Sequence, residues 1–184
     1  MMSDKILLVD IDRCIRCYAC EVACKQEHDL PPGPRWNSVV TIEPRTVKGE
    51  LHTDFIFATC LQCDDPLCSV VCPAKALTKG GDGVVHIDGS KCTGCGICVL
   101  ACPFGAVQLR PDRRCVWKCD QCSDRVDSGQ SPSCVQHCAG GALQHVTETE
   151  LLQIISGRHT AGAGKVRYIS TKWRLSSRSD DNAL

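Results

Sequence analysis

The chain has 184 residues with 21 basic and 21 acidic side chains, so its composition gives no sign of a nucleic-acid or anionic-membrane surface. Its apolar runs fall short of the roughly 20 residues that span a bilayer, so any membrane attachment is expected to come through a partner. Aromatic residues make up only 4% of the chain and cysteine supplies 17 residues, so a compact fold needs more than a large apolar core.

The cysteines do not suit a disulfide scaffold. Their number is odd, no apolar signal segment precedes Cys14, and most fall in groups of four whose members are too close for ordinary pairing. Zinc sites use two separated CxxC pairs, whereas CxxCxxC triplets occur here. We therefore interpret the cysteines as ligands of iron–sulfur clusters, and we expect the metal-free chain to be largely unfolded.

The N-terminal region predicts a short buried strand at 6–9, followed by the first cysteine quartet. A helix that begins near Cys20 is expected to continue to His28, after which prolines stop it. Two β-rich runs within 39–58, around a polar turn at 48–50, predict a hairpin that packs over the metal sites. Quartet one is Cys14, Cys17, Cys20 and Cys24.

Quartets two and three lie on either side of a predicted turn at 80–83 and strand at 84–87. Quartet three has gaps of two, two and three residues and is followed by Pro103, the bacterial ferredoxin pattern for a cubane cluster. Its last cysteine, Cys102, is expected to start a short helix that points away from this cube and to reach a second one. Quartet two is Cys60, Cys63, Cys68 and Cys72, and quartet three is Cys92, Cys95, Cys98 and Cys102.

The last quartet is split by a polar loop and is followed by signals for a helix and a strand. Thr147 and Glu150 form a capping box that opens a helix to about Ile155, 166–170 predicts a strand, and 176–184 predicts a disordered tail. The segments CPAKAL, CPFGAV and CAGGAL each begin at the last cysteine of a quartet, which indicates duplicated ferredoxin units. Quartet four is Cys119, Cys122, Cys134 and Cys138.

Four quartets in this order, with CDQC and CVQHC in the fourth, resemble the iron–sulfur subunits of molybdenum and tungsten oxidoreductases. Such subunits serve dimethyl-sulfoxide-reductase-type enzymes, formate dehydrogenases, hydrogenases and tungsten aldehyde oxidoreductases. The resemblance covers about residues 5–145 and implies an α+β fold of two fused, pseudo-symmetric dicluster ferredoxin-like units with small β-hairpins and short helices. The outer unit would comprise 1–58 and 108–160 with the connector hairpin, and the inner unit 59–107.

The resemblance also implies nested pairing, in which the last cysteine of each quartet joins the first three of another to hold four 4Fe–4S clusters. Site 1 would be Cys14, Cys17, Cys20 and Cys138; site 2 would be Cys24, Cys119, Cys122 and Cys134; site 3 would be Cys60, Cys63, Cys68 and Cys102; and site 4 would be Cys72, Cys92, Cys95 and Cys98. Cys115 is left over, and we interpret it as a spare or buried thiol.

Two other patterns point to different functions, and neither has its structural context. Cys115 opens a CxxxCxxC motif typical of radical S-adenosylmethionine enzymes, but too few residues follow it to build the barrel that such chemistry needs. The segment AGAGK at 161–165 is not a phosphate loop, since His159 takes the place of the first glycine and Val166 that of the hydroxyl.

Several residues beside the ligands are candidates for adjusting cluster potentials. His137, next to Cys138, is the histidine expected to act on a cluster through charge or a hydrogen bond to sulfur. Arg16, Lys91 and Lys118 could raise potentials by favouring the more negative reduced state, although solvation at the surface is the ordinary role of such side chains.

No nucleophile–base pair or cofactor loop stands out, which predicts a conductor of electrons and no catalytic residue. The expected partners are a molybdopterin- or tungstopterin-type catalytic subunit and a second carrier, such as a flavin subunit, a ferredoxin or a membrane anchor, in a hetero-oligomer. A free-standing polyferredoxin is the alternative in the same class, and a redox regulator is the alternative from another. Without a twin-arginine leader the cytoplasm is expected, although subunits of the resembled family can be exported on a partner's signal.

Overall fold

Short helices and small sheets make up an α+β fold, as the sequence predicted. The computed structural model describes residues 5–47, 49–111 and 114–172. The helices are α1 (Ala19–Glu27), α2 (Leu67–Val70), α3 (Ile97–Ala101), α4 (Ser123–Asp127), α5 (Ser133–Gln136) and α6 (Glu148–Ile154). The strands are β1 (Ile6–Asp10), β2 (Asn37–Thr41), β3 (Arg45–Val47), β4 (Glu50–His52), β5 (Phe55–Thr59), β6 (Leu77–Lys79), β7 (Val85–Ile87), β8 (Gln108–Leu109), β9 (Val116–Trp117), β10 (Leu143–Val146), β11 (His159–Ala163) and β12 (Val166–Ser170).

A four-stranded sheet of order β10-β1-β12-β11 joins the two ends of the described chain. Strand β1 runs antiparallel to β10 and parallel to β12. Leu8 and Ile169 are fully buried on one face of this sheet, where they pack with Leu151 of α6. The strands at 6–9 and 166–170 were predicted, whereas β11 and the parallel pairing of β1 with β12 were not.

The predicted hairpin is present, and it is formed by two successive strand pairs. Strands β2 and β5 pair in the register Asn37 with Thr59, and β3 and β4 pair beyond them. The predicted turn at 48–50 includes Lys48, which lies outside the described residues. Phe57 of β5 is buried in an apolar cluster with Cys20 and Cys134, so the hairpin covers cysteines of the outer quartets.

The helix ends follow local sequence signals, with one correction. Thr147 Oγ1 accepts a hydrogen bond from the Glu150 backbone N–H at 3.3 Å, and Glu150 Oε2 accepts one from the Thr147 backbone N–H at 2.8 Å, which confirms the capping box. The helix expected to start at Cys102 instead ends there: α3 precedes Cys102, whose backbone is extended (φ −79°, ψ 111°). Pro103 explains this, because a residue before proline is disfavoured in the helical region.

The turn between β11 and β12 packs against the segment that carries quartet two. The Lys165 backbone N–H donates to the Leu61 carbonyl at 2.9 Å, and Lys165 Nζ donates to the Asp82 carbonyl at 2.7 Å. Gly164 has a φ of +54°, and a Cβ built on it would lie 2.3 Å from the Gln62 carbonyl oxygen. This turn therefore needs glycine. The predicted unit boundaries remain predictions, and the predicted tail at 176–184 lies outside the described residues.

Candidate metal centre

Each quartet begins with a CxxC loop, and the four loops share one backbone conformation. The residue before the second cysteine has a left-handed φ in every case: 56° at Arg16, 54° at Gln62, 69° at Gly94 and 56° at Gln121. Glycine adopts this region freely, but the other side chains are strained there. The repeated conformation indicates that the surroundings of each loop hold its two cysteines in one particular arrangement.

The segments after the last cysteines also repeat in three dimensions. The third residue after Cys72 and after Cys138 is left-handed, and the next residue, Ala76 or Ala142, donates its backbone N–H to the cysteine sulfur at 3.3 Å and 3.2 Å. At Cys72, burial raises the pKa of the thiol, but backbone N–H groups led by that of Ala76 outweigh it and hold the pKa below its usual value. Hydrogen bonds of this kind stabilise a thiolate ligand.

The cysteines assigned to site 1 surround one small cavity beneath the hairpin. Cys14, Cys17, Cys20 and Cys138 line this cavity, whose accessible wall is almost entirely apolar. Burial raises the pKa of Cys14, and it raises the pKa of Cys20 to about 12, with the Cys138 thiolate the next largest contribution that raises it. Cys138, more than a hundred residues away in sequence, is thus an electrostatic neighbour of both.

The cysteines assigned to site 2 line a second small cavity. Burial raises the pKa of Cys119 to about 11 and that of Cys122 to about 12. The pKa values of Cys24 and Cys134 are also raised, first by burial and then by the Cys119 and Cys122 thiolates. Cys24 of quartet one therefore lies among the first three cysteines of quartet four.

The inner quartets show the same exchange of their last cysteines. Burial and then thiolates that include Cys102 raise the pKa of Cys63, and the same two causes raise the pKa of Cys68 to about 11. The pKa of Cys98 is raised by burial and then, against a backbone hydrogen bond that lowers it, by its neighbours Cys72, Cys92 and Cys95.

These sulfur donors fit metal clusters by their chemistry. Buried thiols with raised pKa values stay protonated in a metal-free chain, because each thiolate would lie in an apolar setting among other thiolates. Cations placed among them supply the missing counter-charge, and thiolate is the ligand of iron–sulfur clusters. An enclosed apolar cavity with four converging sulfurs suits such a group better than a single ion exchanged with water.

The four groups follow one another through the molecule. Cys20 of site 1 raises the pKa values of both Cys24 and Cys134 at site 2, after burial and the site's own thiolates. Cys60 of site 3 raises the pKa of Cys119 at site 2, after burial. Cysteines of sites 3 and 4 pack around one apolar cluster. Cysteines assigned to site 1 thus lie near those of site 2, and those of site 2 near site 3. The exposed cysteines are Cys17, assigned to site 1, and Cys95, assigned to site 4.

The structure picks out a histidine that the sequence did not. His28 Nε2 lies 3.2 Å from Sγ of Cys122 and 3.8 Å from Oδ1 of Asp120, and its ring stacks on Trp36 at 4.4 Å. His137, the histidine singled out by its position beside Cys138, donates from Nδ1 to the Ser133 carbonyl at 2.9 Å. Only a prediction of the chain path at the end of α1 could have found His28, since 94 residues separate it from Cys122.

The three basic residues considered as influences on cluster potentials differ in how deeply they are buried. Lys91 is exposed and pairs with Asp88 at 2.9 Å, and Arg16 is exposed with its guanidinium over the rings of Tyr18 and Phe55. Lys118 is 2% exposed. Solvation at the surface is thus the right interpretation for Lys91 and Arg16 and the wrong one for Lys118.

Cys115 lines an open groove that contains none of the cysteines assigned to the four sites. It is half-buried there, together with Trp117 and Arg110. Its carbonyl oxygen accepts a hydrogen bond from the Arg110 backbone N–H at 3.0 Å. This position agrees with its interpretation as a spare thiol.

Comparison with known proteins identifies the class first. The family described as the 4Fe-4S dicluster domain matches residues 51–148, which together with the α+β architecture defines a dicluster ferredoxin-like protein. The thiosulfate reductase electron transfer subunit of Salmonella typhi is 40% identical over 146 residues, covering 78% of this chain and 76% of its own length. A probable anaerobic dimethyl sulfoxide reductase chain of Escherichia coli K12 is 36% identical over 152 residues, covering 79% of this chain and 74% of its own length.

The formate dehydrogenase-O iron-sulfur subunit of Escherichia coli K12 is also similar, at 33% identity over 167 residues, which cover 82% of this chain and 56% of that subunit. The chain belongs to this family of iron–sulfur, electron-transfer subunits of oxidoreductase complexes, as the resemblance predicted. In the described part of the chain, no helix is both long enough and apolar enough to cross a bilayer.

Proposed function

We propose that the chain carries four 4Fe–4S clusters, held by sites 1 to 4, and relays electrons between a molybdenum or tungsten pterin subunit and a second redox partner. When bound, the clusters take up and release single electrons. The protein contributes their spacing, their insulation from water and the charges that set their potentials. The chain would have no catalytic residue of its own.

One observation supports the proposal: cysteines distant in sequence lie together, and the last cysteine of a quartet lies near the first cysteines of another. Cys138 lines the cavity of Cys14, Cys17 and Cys20, although it belongs to the last quartet. Cys102 is likewise an electrostatic neighbour of Cys63. Sixteen donors in four groups match the number that four cubanes need, and relatives named as electron transfer subunits support the role.

Two exposed cysteines support the proposal of two partners. Cys17 is assigned to site 1 and Cys95 to site 4, so a partner docked near either cysteine would reach a different cluster. Clusters that partners can reach at two places fit a subunit between two redox proteins better than a regulator. A regulator would need one labile cluster and an effector segment.

Metal analysis of the native complex, purified anaerobically, tests the proposal. We expect about 16 iron atoms and 16 labile sulfides per chain, with molybdenum or tungsten in a stoichiometric large subunit. A lone monodisperse protein with the same iron content would favour the free-standing polyferredoxin. Zinc or disulfides in place of iron would contradict the four-cluster assignment.

Matched serine variants test the ligand groups in the same preparation. Cys134→Ser removes a buried donor of site 2 and is expected to lower the iron content by one to four atoms per chain. Cys115→Ser, at the unassigned thiol, is expected to leave the iron content unchanged. Equal iron losses in both variants would contradict the assignment of Cys115.

A further inference from the structure

Lys118 is an unusual side chain because it places a cation in the interior between sites 2 and 3. It immediately precedes Cys119, and it is only 2% exposed. Its Nζ donates to the Gln62 side-chain oxygen at 3.1 Å and to the Cys119 carbonyl oxygen at 2.9 Å. Gln62 lies between Cys60 and Cys63 of site 3, so the lysine joins the loops of two different sites.

The hydrogen-bond partners of Lys118 are both uncharged. Among the described residues it makes no ion pair, whereas Lys91, at the equivalent position before Cys92, pairs with Asp88 at 2.9 Å. Burying an ammonium costs free energy unless negative charge lies close by. The loops that Nζ contacts belong to sites 2 and 3, so the negative charge near it would come from the loaded clusters of those sites.

Resting on the proposed function, we infer that Lys118 is a fixed internal counter-cation that raises the reduction potential of a cluster at the junction of sites 2 and 3. A cluster becomes more negative by one charge on reduction, and an adjacent ammonium stabilises the reduced form more than the oxidised form. Because Lys118 is buried, solvent and salt screen this interaction only weakly. Gln62 is a positioning residue, since its side-chain oxygen holds Nζ toward the junction.

Gln62 itself is held firmly for this task. It is fully buried, its Nε2 donates to the Cys119 carbonyl at 2.7 Å, and its Oε1 also accepts the Val85 backbone N–H at 2.9 Å. The cation therefore occupies a defined position between two ligand loops, which distinguishes it from a flexible surface lysine.

The test is a redox titration of the iron-loaded full-length chain in its complex, followed by electron paramagnetic resonance. Lys118→Met removes the charge and keeps most of the volume, and we expect one midpoint to fall by at least the equivalent of a tenfold change in the reduction equilibrium, about 59 mV for one electron. Lys118→Arg keeps the charge and is expected to restore most of that midpoint. The matched control is Lys91→Met beside site 4, which is expected to move its midpoint by less than a third as much.

Iron content separates this inference from the proposed function. A wild-type chain without four clusters would contradict the proposed function, whereas four clusters with unchanged midpoints in Lys118→Met would overturn only the role of Lys118. If Lys118→Met fails to load iron, the midpoints are measured in Gln62→Glu instead. A carboxylate beside Nζ neutralises the cation and should lower the same midpoint. An iron-loaded Gln62→Glu chain with unchanged midpoints, or loss of iron from both variants, would overturn the inference in favour of a structural role.

Discussion

The imidazole Nε2 of His28 lies 3.2 Å from Sγ of Cys122, at the end of helix α1 and beside the second cysteine of quartet four. A thiolate that binds iron can only accept a hydrogen bond, so in the loaded protein His28 acts as the donor. Its ring packs at a tilt of 39° against Trp36, with the ring centroids 4.4 Å apart. This contact gives site 2 a hydrogen bond from a side chain in addition to those from backbone N–H groups.

Replacing His28 by Phe should lower the midpoint potential of one cluster. Phe keeps the ring stack with Trp36 but removes the N–H donor, whose hydrogen bond is stronger to the more negative reduced form. We expect a fall of about 20 to 60 mV, corresponding to the order of 1 kcal/mol. The measurement is a redox titration of the iron-loaded chain. His137→Phe is the matched control, because His137 bonds a backbone carbonyl, and a larger shift there would contradict the assignment.

Gly164 provides a test of how the last hairpin docks on the rest of the chain. In Gly164→Ala, the new Cβ would lie 2.3 Å from the Gln62 carbonyl oxygen at a φ of +54°, so we expect a loss of about 2 to 4 kcal/mol of stability. Gly157→Ala is the control, since Gly157 is also left-handed (φ +74°) but has nothing within 4 Å of its Cβ position.

The Gly157 variant should cost only about 1 kcal/mol, from backbone strain alone. Thermal unfolding of the iron-loaded variants, followed by circular dichroism at one scan rate, compares the two. Similar unfolding temperatures would show that the turn at Gly164 does not depend on the close packing described above.

The sequence predicted the local parts of this structure well and the long-range parts poorly. Nearby residues set the spacing of the cysteines, the capping box at Thr147 and the hairpin. These three features could therefore be predicted from short stretches of the sequence. The end of α3 at Cys102 was predicted wrongly although Pro103 carries the signal, because the ferredoxin pattern was given more weight than the restriction before proline.

The burial of Lys118 and the contact of His28 could not be predicted from spacing. Both depend on how quartets distant in sequence come together, and a lysine beside a ligand looks the same in the sequence whether it is buried or exposed. Lys91 and Lys118 each precede the first cysteine of a quartet, yet only Lys118 is buried. The left-handed Arg16, Gln62 and Gln121 were missed for a related reason, since tertiary packing there overrides the usual preference for glycine.

His145 should make strand β10 less stable in mild acid. Burial and, after it, the positive charges of Lys5 and Lys165 together lower its pKa from 6.5 to about 4. Between these two pKa values the unfolded chain binds the proton more strongly than the folded chain, so stability falls as pH drops from about 7 toward 4. At pH 5.5 we expect a loss of about 1 kcal/mol relative to pH 7.5, after allowance for solvent screening.

Hydrogen exchange of the β10 amides in the iron-loaded protein measures this effect at each pH. His145→Gln cannot take up the proton, so its protection relative to wild type should improve as pH falls from 7.5 to 5.5. The exchange of the amides of helix α6, measured in the same sample, provides an internal comparison. A constant difference between variant and wild type across this range would rule out the titration of His145 as the cause.

Removal of iron should unfold most of the chain but leave one apolar cluster folded. In the described part of the chain, three of the four apolar clusters include buried cysteines, and the remaining one joins Leu8, Val146, Leu151 and Ile169. Without metal, the cysteine-lined clusters lose the bonds that hold their loops. We expect far-UV circular dichroism to lose most of its signal after anaerobic chelation. Residual amide protection should concentrate in β1, β10 and β12, and protection retained equally around quartets two and three would show that apolar packing alone holds the fold.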